Sequence, residues 1–141
     1  MTLSQLTIEA QRAYPPRESE FTHTFWSALR EGRWLTTRCK SCERKTFPPK
    51  LVCPHCWATD VEWVELGAQG TLYSWTRIHA APAVFASEAP YACGIVDLDE
   101  GIRLACRLVE AEQSPLVVGQ RMEMVVLQYQ DGPIFAARRC A

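Results

Sequence analysis

Four of the seven cysteines stand in two Cys-x-x-Cys pairs, Cys39 with Cys42 and Cys53 with Cys56. Each pair can come from one tight turn, and a ten-residue spacer allows the two turns to face each other around a single ion. Zn²⁺ takes tetrahedral sulfur ligands at about 2.3 Å, and four thiolates leave no open position for water or substrate. The spacing therefore predicts a structural zinc site, although the same thiolate cage accepts iron.

The remaining cysteines and the three histidines form no recognisable catalytic arrangement along the chain. Cys106 falls on the apolar face of a run that reads as a strand, so we expect it to be a small core residue. A nucleophilic cysteine needs a base and a positively charged environment, and the linear sequence shows neither. We predict no catalytic residue.

Length and composition limit the class of protein. The 141 residues are 48% hydrophobic and 22% charged, as in one ordinary globular domain or a small domain with a metal-stapled appendage. The formal net charge of −1 gives no overall field that would concentrate the chain on a polyanion. The sequence has no long apolar run and no signal-like start, so we expect a cytoplasmic protein without a membrane span. In such a protein, paired cysteines indicate a metal site rather than disulfides.

Two segments precede the expected barrel. Residues 1–33 predict an arm and a helix: Tyr14-Pro15-Pro16 stops any helix, so residues 1–18 read as a mobile or partner-dependent arm, and a helix follows from Ser19 to Gly32. Residues 34–66 hold the paired cysteines and are too short to build a core of their own. We expect this ribbon to depend on its metal for folding.

Residues 67–141 contain five short β-rich runs separated by turn residues. These runs are Thr71–Ile78, Tyr91–Asp97, Ile102–Val109, Arg121–Tyr129 and Ile134–Arg138. Five antiparallel strands with one long early loop favour an OB-type barrel over a sandwich. The predicted fold class is mainly β, with an N-terminal helix, a rubredoxin-like zinc ribbon and a five-stranded OB-type barrel.

In this order the motifs resemble the family of small proteins that join a rubredoxin-like zinc ribbon to an acyl-CoA-associated OB-fold. The matching positions, within residues 20–138, are Phe25-Trp26, Gly32-Arg33-Trp34-Leu35, the two cysteine pairs, Phe47-Pro48-Pro49, Pro54, Gly70, Tyr73-Ser74, Pro90-Tyr91, Val96, Leu98, Glu100-Gly101 and Arg103-Leu104. The family usually has Gly after the second cysteine, whereas this chain has Glu43, and Trp57 follows the fourth. Both turns must then form without the freedom of glycine.

The resemblance implies a non-catalytic accessory subunit that binds a thiolase-like enzyme acting on acyl-CoA or related acyl donors, in a hetero-oligomer. A CoA-ester hydratase or aldolase is the alternative partner. Apolar residues of the kind that interfaces use as anchors are Phe25, Trp26, Phe47 and Phe85. Arg33 and Arg38 are candidate contacts for a CoA phosphate or a carboxylate.

A nucleic-acid-binding module is the main rival, because zinc ribbons and OB barrels occur in such proteins. Residues 90–112 carry five acidic and two basic side chains, and Tyr91 is their only aromatic residue. A face that stacks bases needs several aromatic residues among basic ones. The sequence therefore disfavours nucleic acid as a partner. A stand-alone CoA-ester hydrolase would need a nucleophile that the sequence does not display.

Overall fold

The computed structural model describes residues 2–112 and 114–141, which are mainly β. The strands are β1 Ser4–Thr7, β2 Leu35–Cys39, β3 Lys45–Thr46, β4 Val61–Glu65, β5 Gln69–Ile78, β6 Tyr91–Leu98, β7 Arg103–Leu108, β8 Arg121–Tyr129 and β9 Gly132–Arg139. Helix α1 spans His23–Arg30, and a 3-10 helix spans Ala83–Glu88. No helix in the described residues is long and apolar enough to cross a bilayer.

Strands β5 to β9 form a closed barrel. Antiparallel pairing joins β5 to β6 and β8, β6 to β7, and β8 to β9. A short parallel contact between β7 and β9, with Arg107 opposite Ala136, closes the barrel. Strands β5 and β6 approach closely at Gly70, where an added Cβ would lie 2.3 Å from the Asp97 carbonyl oxygen. The predicted five-stranded OB-type barrel is confirmed.

Alternate side chains of the strands fill the barrel. Leu72, Val96, Met122 and Val126 are at most 1% exposed, and burial of such a side chain stabilises the fold by about 1.5–3 kcal/mol. Cys106 packs against this core as predicted. Burial raises the pKa of the Cys106 thiol to about 12, so it stays protonated at neutral pH.

The N-terminal segment is ordered against the barrel. Strand β1 pairs in parallel with β8, from Ser4 opposite Val125 to Thr7 opposite Gln128. The Arg12 amide donates to Asp131 Oδ1 at 2.8 Å. The predicted mobile or partner-dependent arm is therefore wrong for these residues, because the barrel offers β8 as an open strand edge that the local pattern cannot reveal.

Helix α1 is shorter than predicted at its start. The Ser19 amide donates to Thr22 Oγ1 at 2.8 Å and the Thr22 amide donates to Ser19 Oγ at 3.1 Å, so these residues form a turn before the helix. Gly32 has a φ of +80° and ends the helical segment in the left-handed conformation, as predicted. The buried face of α1, with Phe25 and Leu29, belongs to the main hydrophobic core.

Candidate metal centre

A three-stranded sheet positions the paired cysteines. Strand β2 lies between β3 and β4 and pairs antiparallel with both, so that Cys39 at its end stands opposite Val61. Cys42 follows in the turn to β3, and the second pair lies in the long connection from β3 to β4. The connection returns alongside the first pair, where the Lys40 amide donates to the Asp60 carbonyl oxygen at 2.9 Å.

The first turn, residues 39–44, is held by two backbone hydrogen bonds and one bond to sulfur. The Cys39 amide donates to the Arg44 carbonyl oxygen at 2.9 Å, and the Glu43 amide donates to the Cys39 carbonyl oxygen at 2.9 Å. The Cys42 amide donates to Cys39 Sγ at 3.4 Å. These bonds form a compact turn that directs both sulfurs to one side.

The second turn, residues 53–58, repeats the backbone pattern. The Cys53 amide donates to the Ala58 carbonyl oxygen at 2.9 Å, and the Trp57 amide donates to the Cys53 carbonyl oxygen at 2.9 Å. The His55 amide donates to Cys53 Sγ at 3.4 Å. His55 is thus a neighbour of the sulfurs through its backbone, and its exposed ring lies 3.4 Å from Arg44.

Both turns use the left-handed backbone conformation without glycine, as the sequence required. Glu43 has a φ of +66° and Trp57 a φ of +67°. Side chains rarely adopt this region, because Cβ approaches the following carbonyl oxygen. The turn geometry thus forms without glycine at either position.

The four sulfur atoms lie within 4.8 Å of one another. Cys39 Sγ is 3.5 Å from Cys56 Sγ, and Cys42 Sγ is 3.6 Å from Cys53 Sγ. A tetrahedron with zinc–sulfur bonds of about 2.3 Å has sulfur–sulfur distances of about 3.8 Å. The sulfurs therefore fit a zinc-ribbon site with four thiolate ligands.

Amide hydrogen bonds to sulfur favour the metal-binding thiolate at Cys39 and Cys53. At Cys56 the Ala58 amide acts in the same direction, but the neighbouring sulfurs, that of Cys39 above all, raise the pKa to about 11. The Cys42 amide is the main cause that lowers the pKa of Cys39 to about 6, so this thiol is ionised at neutral pH. Burial opposes ionisation at Cys53, but amide donors including His55 hold its pKa below the usual value. A Zn²⁺ bound at the centre of the four sulfurs would hold the two turns together.

An aromatic cluster joins the helix, the ribbon and the barrel. The rings of Phe25, Trp26, Trp34, Phe47 and Phe135 have neighbouring centroids 5.0–6.5 Å apart. Beside the cluster lies an apolar cleft of about 440 Å³, and its lining includes Trp26, Phe47 and Phe135. At this cluster the helix, the ribbon and the barrel share one hydrophobic core.

The structure brings three of the predicted contact residues to this cleft and leaves Phe85 apart. Phe25, Trp26 and Phe47 all line the cleft, but Phe25 is only 4% exposed and serves mainly as core. Phe85 lies on the 3-10 helix, with its ring 6.1 Å from that of Tyr91. Phe135 is the aromatic residue of the cleft that the sequence analysis missed, and Thr22, Arg103, Leu104 and Ala105 line it too. The place of Phe135 in the strand run Ile134–Arg138 was the available signal.

The two predicted arginine contacts differ in their surroundings. Arg33 is exposed where the chain enters the ribbon. Arg38 pairs with Glu62 at 3.1 Å and with Glu43 at 3.4 Å. Arg33 is therefore the more available of the two for an external carboxylate or phosphate.

An ion pair ties the ribbon to the barrel. Lys45 donates to the Glu100 carboxylate, which also accepts from the Gly67 amide. The bond from Lys45, followed by that from Gly67, holds the pKa of Glu100 below its usual value. Lys45 lies just beyond the first turn and Glu100 in the β6–β7 hairpin, so the ribbon is fixed to the barrel at this side.

Comparison with known proteins identifies the family. The rubredoxin-like zinc ribbon domain of ChsH2 matches residues 26–62, and the C-terminal OB-fold domain of ChsH2 matches residues 63–127. A DUF35 domain-containing scaffold protein of Methanocaldococcus jannaschii is 32% identical over 102 residues, which are 71% of this chain and 72% of that protein. The chain belongs to the DUF35 family. The resemblance stated from the sequence is thereby confirmed.

Other relatives of this DUF35 chain are enzyme subunits by name. The benzoylsuccinyl-CoA thiolase subunit BbsA of Thauera aromatica is 36% identical over 77 residues, 55% of this chain and 52% of BbsA. A probable enoyl-CoA hydratase alpha subunit of Thermomonospora curvata is 32% identical over 118 residues, 82% of this chain but only 37% of that protein. The solved structure of an Ltp2-ChsH2(DUF35) aldolase matches with a TM-score of 0.78 and 27% identity, covering 90% of this chain and all of that chain.

Proposed function

We propose that this DUF35 chain is a non-catalytic accessory subunit that binds and supports a thiolase-like enzyme acting on acyl-CoA or related acyl donors. One observation carries the proposal: a thiolase subunit, a hydratase subunit and an aldolase share similarity with this ribbon and barrel. These reactions differ in the bonds they make and break. A unit common to them is better suited to holding an enzyme in its assembly than to reacting with substrate.

The metal centre supports the same role. Its four sulfur ligands fill a tetrahedral coordination sphere. Cys39 and Cys53 are each 2% exposed, Cys42 is half-buried and Cys56 is exposed. Such a centre fixes the positions of two turns and offers no site for a substrate oxygen. Its contribution to function is the shape of the ribbon surface.

The aromatic cleft gives this chain a surface that suits a partner. Trp26, Phe47 and Phe135 combine partly buried aromatic faces with an open apolar cleft. Aromatic residues dominate the energetics of many protein interfaces. A segment of the enzyme subunit, or the pantetheine part of a CoA ester, would find an apolar surface here. Arg33 is exposed but does not line the cleft, so it is a separate candidate contact for a negative group.

The direct test is assembly with a thiolase-like enzyme subunit. Both proteins are purified separately, mixed and examined by size-exclusion chromatography with light scattering. We expect a hetero-oligomer and an acyl-CoA condensation or thiolysis rate that depends on the mixture. A chain that remains alone and binds single-stranded DNA or RNA at physiological salt would contradict the proposal, as would acyl-CoA turnover by this chain without a partner.

A matched pair of variants tests the cleft. Trp26→Ser removes an aromatic wall of the cleft, whereas Tyr14→Ser removes an exposed ring that does not line it. We expect only the first variant to weaken the complex while both keep their zinc content. Equal binding by both variants would exclude the cleft as a contact surface.

A CoA-ester aldolase or hydratase is the second candidate partner. The aldolase structure favours it, because the match extends over 90% of this chain. Mixing the chain with an aldolase, a hydratase or a thiolase subunit under the same conditions distinguishes these partners by which complex forms.

A further inference from the structure

The chain around the second turn exposes three large apolar side chains. Leu51 is 61% exposed, Val52 is 40% exposed and Trp57 is 78% exposed. The hydrogen bond from the Cys53 amide to the Ala58 carbonyl oxygen brings together the chain segments that enter and leave this turn. Leu51, Val52 and Trp57, here called the outer patch, therefore belong to one end of the ribbon.

The conformation of Trp57 makes its identity informative. Its φ of +67° is one that glycine adopts at lower cost than any side chain. The indole is largely exposed. In the isolated chain, packing of this side chain therefore does not offset the free-energy cost of its backbone conformation. At the equivalent position of the first turn, with a φ of +66°, the chain has the polar residue Glu43. Tryptophan is thus not required by the turn, and a contact outside the chain gives a reason for it.

The charged side chains beside the outer patch that have no ion-pair partner among the described residues are positive. Within the described residues, no ion pair joins Arg44 or Lys50 to a carboxylate. The nearby acidic residues have other partners: Glu43 pairs with Arg38 at 3.4 Å and Asp60 with Lys40 at 3.7 Å. A surface complementary to this end of the ribbon must accommodate an indole and offer carboxylates at its edge.

We propose that the outer patch inserts into an apolar pocket with an acidic rim on the enzyme subunit of the complex. Trp57 is the anchor of this contact, and Arg44 and Lys50 face the acidic rim. The inference rests on the proposed function, because it takes the enzyme subunit as the occupant. It adds to that function a docking surface separate from the aromatic cleft.

Two glycine substitutions test the anchor. Trp57→Gly removes the indole and suits the backbone conformation, so a loss of binding cannot be attributed to a strained turn. Glu43→Gly makes the same backbone change in the first turn and is the matched control. With the purified thiolase-like subunit as the probe in titration calorimetry, we expect Trp57→Gly to weaken binding at least about 30-fold. Glu43→Gly should bind at least as tightly as the unmodified chain, because it removes an acidic side chain next to Arg44. Both variants should retain zinc.

Charge reversal tests the rim. We expect Lys50→Glu to slow association with the same subunit and to reduce the dependence of the association rate on salt. An unchanged rate for Lys50→Glu would contradict the acidic rim.

The outcomes separate this inference from the proposed function. If the unmodified chain forms no complex with the enzyme subunit, both are wrong. If it forms the complex and Trp57→Gly binds equally well, the proposed function stands and the outer patch is not the docking surface. If Trp57→Gly instead abolishes self-association measured by sedimentation and leaves enzyme binding intact, the occupant is a second copy and the proposal is wrong.

Discussion

The first and second turns of the ribbon have the same backbone and different surroundings. Each is closed by the same pair of backbone hydrogen bonds, and each ends in a left-handed residue, Glu43 or Trp57. The first turn leads directly to Lys45, which is bonded to the barrel at Glu100. The second turn instead carries the outer patch. The metal site therefore fixes the backbone of both turns, whereas the side chains that they display are set by what each turn faces.

Removing one thiolate from either turn should have the largest effect. Cys39→Ser and Cys53→Ser each take one ligand from the same tetrahedron, and structural zinc contributes on the order of 10 kcal/mol to folding of such small modules. We expect loss of bound metal and unfolding of the ribbon in both variants, measured by elemental analysis and thermal melting. Cys140→Ser, which lies outside the four-cysteine set, is the control that should keep its metal.

Different metal contents or melting behaviour in Cys39→Ser and Cys53→Ser would show that the two turns do not contribute equally to the metal centre. A variant with full metal content and native melting would show that its cysteine is not a ligand. Loss of metal in Cys39→Ser alone would mean that the second turn does not contribute to the centre as its geometry indicates.

A buried aromatic residue should behave differently from the exposed ring of the second turn. Phe25 is 4% exposed and contacts several rings of the aromatic cluster. We expect Phe25→Ala to lower the free energy of unfolding by about 3–5 kcal/mol, because it leaves a cavity. Urea unfolding measures this value. A loss below about 1 kcal/mol would show that the cluster does not hold the helix and ribbon on the barrel, and it would return Phe25 to the set of candidate surface contacts.

The sequence predicted the features that depend on short-range patterns. The cysteine spacing determined the metal site, and alternation of apolar residues located the five barrel strands. Strand β1 was missed because its four residues become a strand only by pairing with β8, more than a hundred positions away. Local patterns also could not show that Phe25, within helix α1, would be buried while Trp57, in the second turn, stayed exposed, because burial depends on which elements pack together.

Glycine at either left-handed position should stabilise the isolated chain slightly. Relief of an unfavourable backbone conformation is worth about 1–2 kcal/mol, and the greater freedom of glycine in the unfolded chain removes part of that. We expect Glu43→Gly and Trp57→Gly each to raise the free energy of unfolding by up to about 1 kcal/mol in urea titrations. A decrease in Trp57→Gly alone would mean that the indole stabilises the ribbon itself, which would remove the reason to assign it to a partner.

The ion pair between Lys45 and Glu100 links the first turn to the barrel, which distinguishes this turn from the second. We expect its loss to have the smallest effect on the free energy of unfolding. The lowered pKa of Glu100 means that the pair stabilises the fold above the ordinary carboxyl pKa of 4.5, and that this stabilisation is lost as pH falls through the lowered value. Because both side chains are partly exposed, Glu100→Gln should cost only about 0.5 kcal/mol at pH 7. Urea unfolding should show this difference at neutral pH and no difference once the carboxyl is protonated. The control is Glu9→Gln, at an exposed position, which should be as stable as the unmodified chain at every pH. A difference for Glu100→Gln that persists in acid would mean that the link between the first turn and the barrel does not depend on charge.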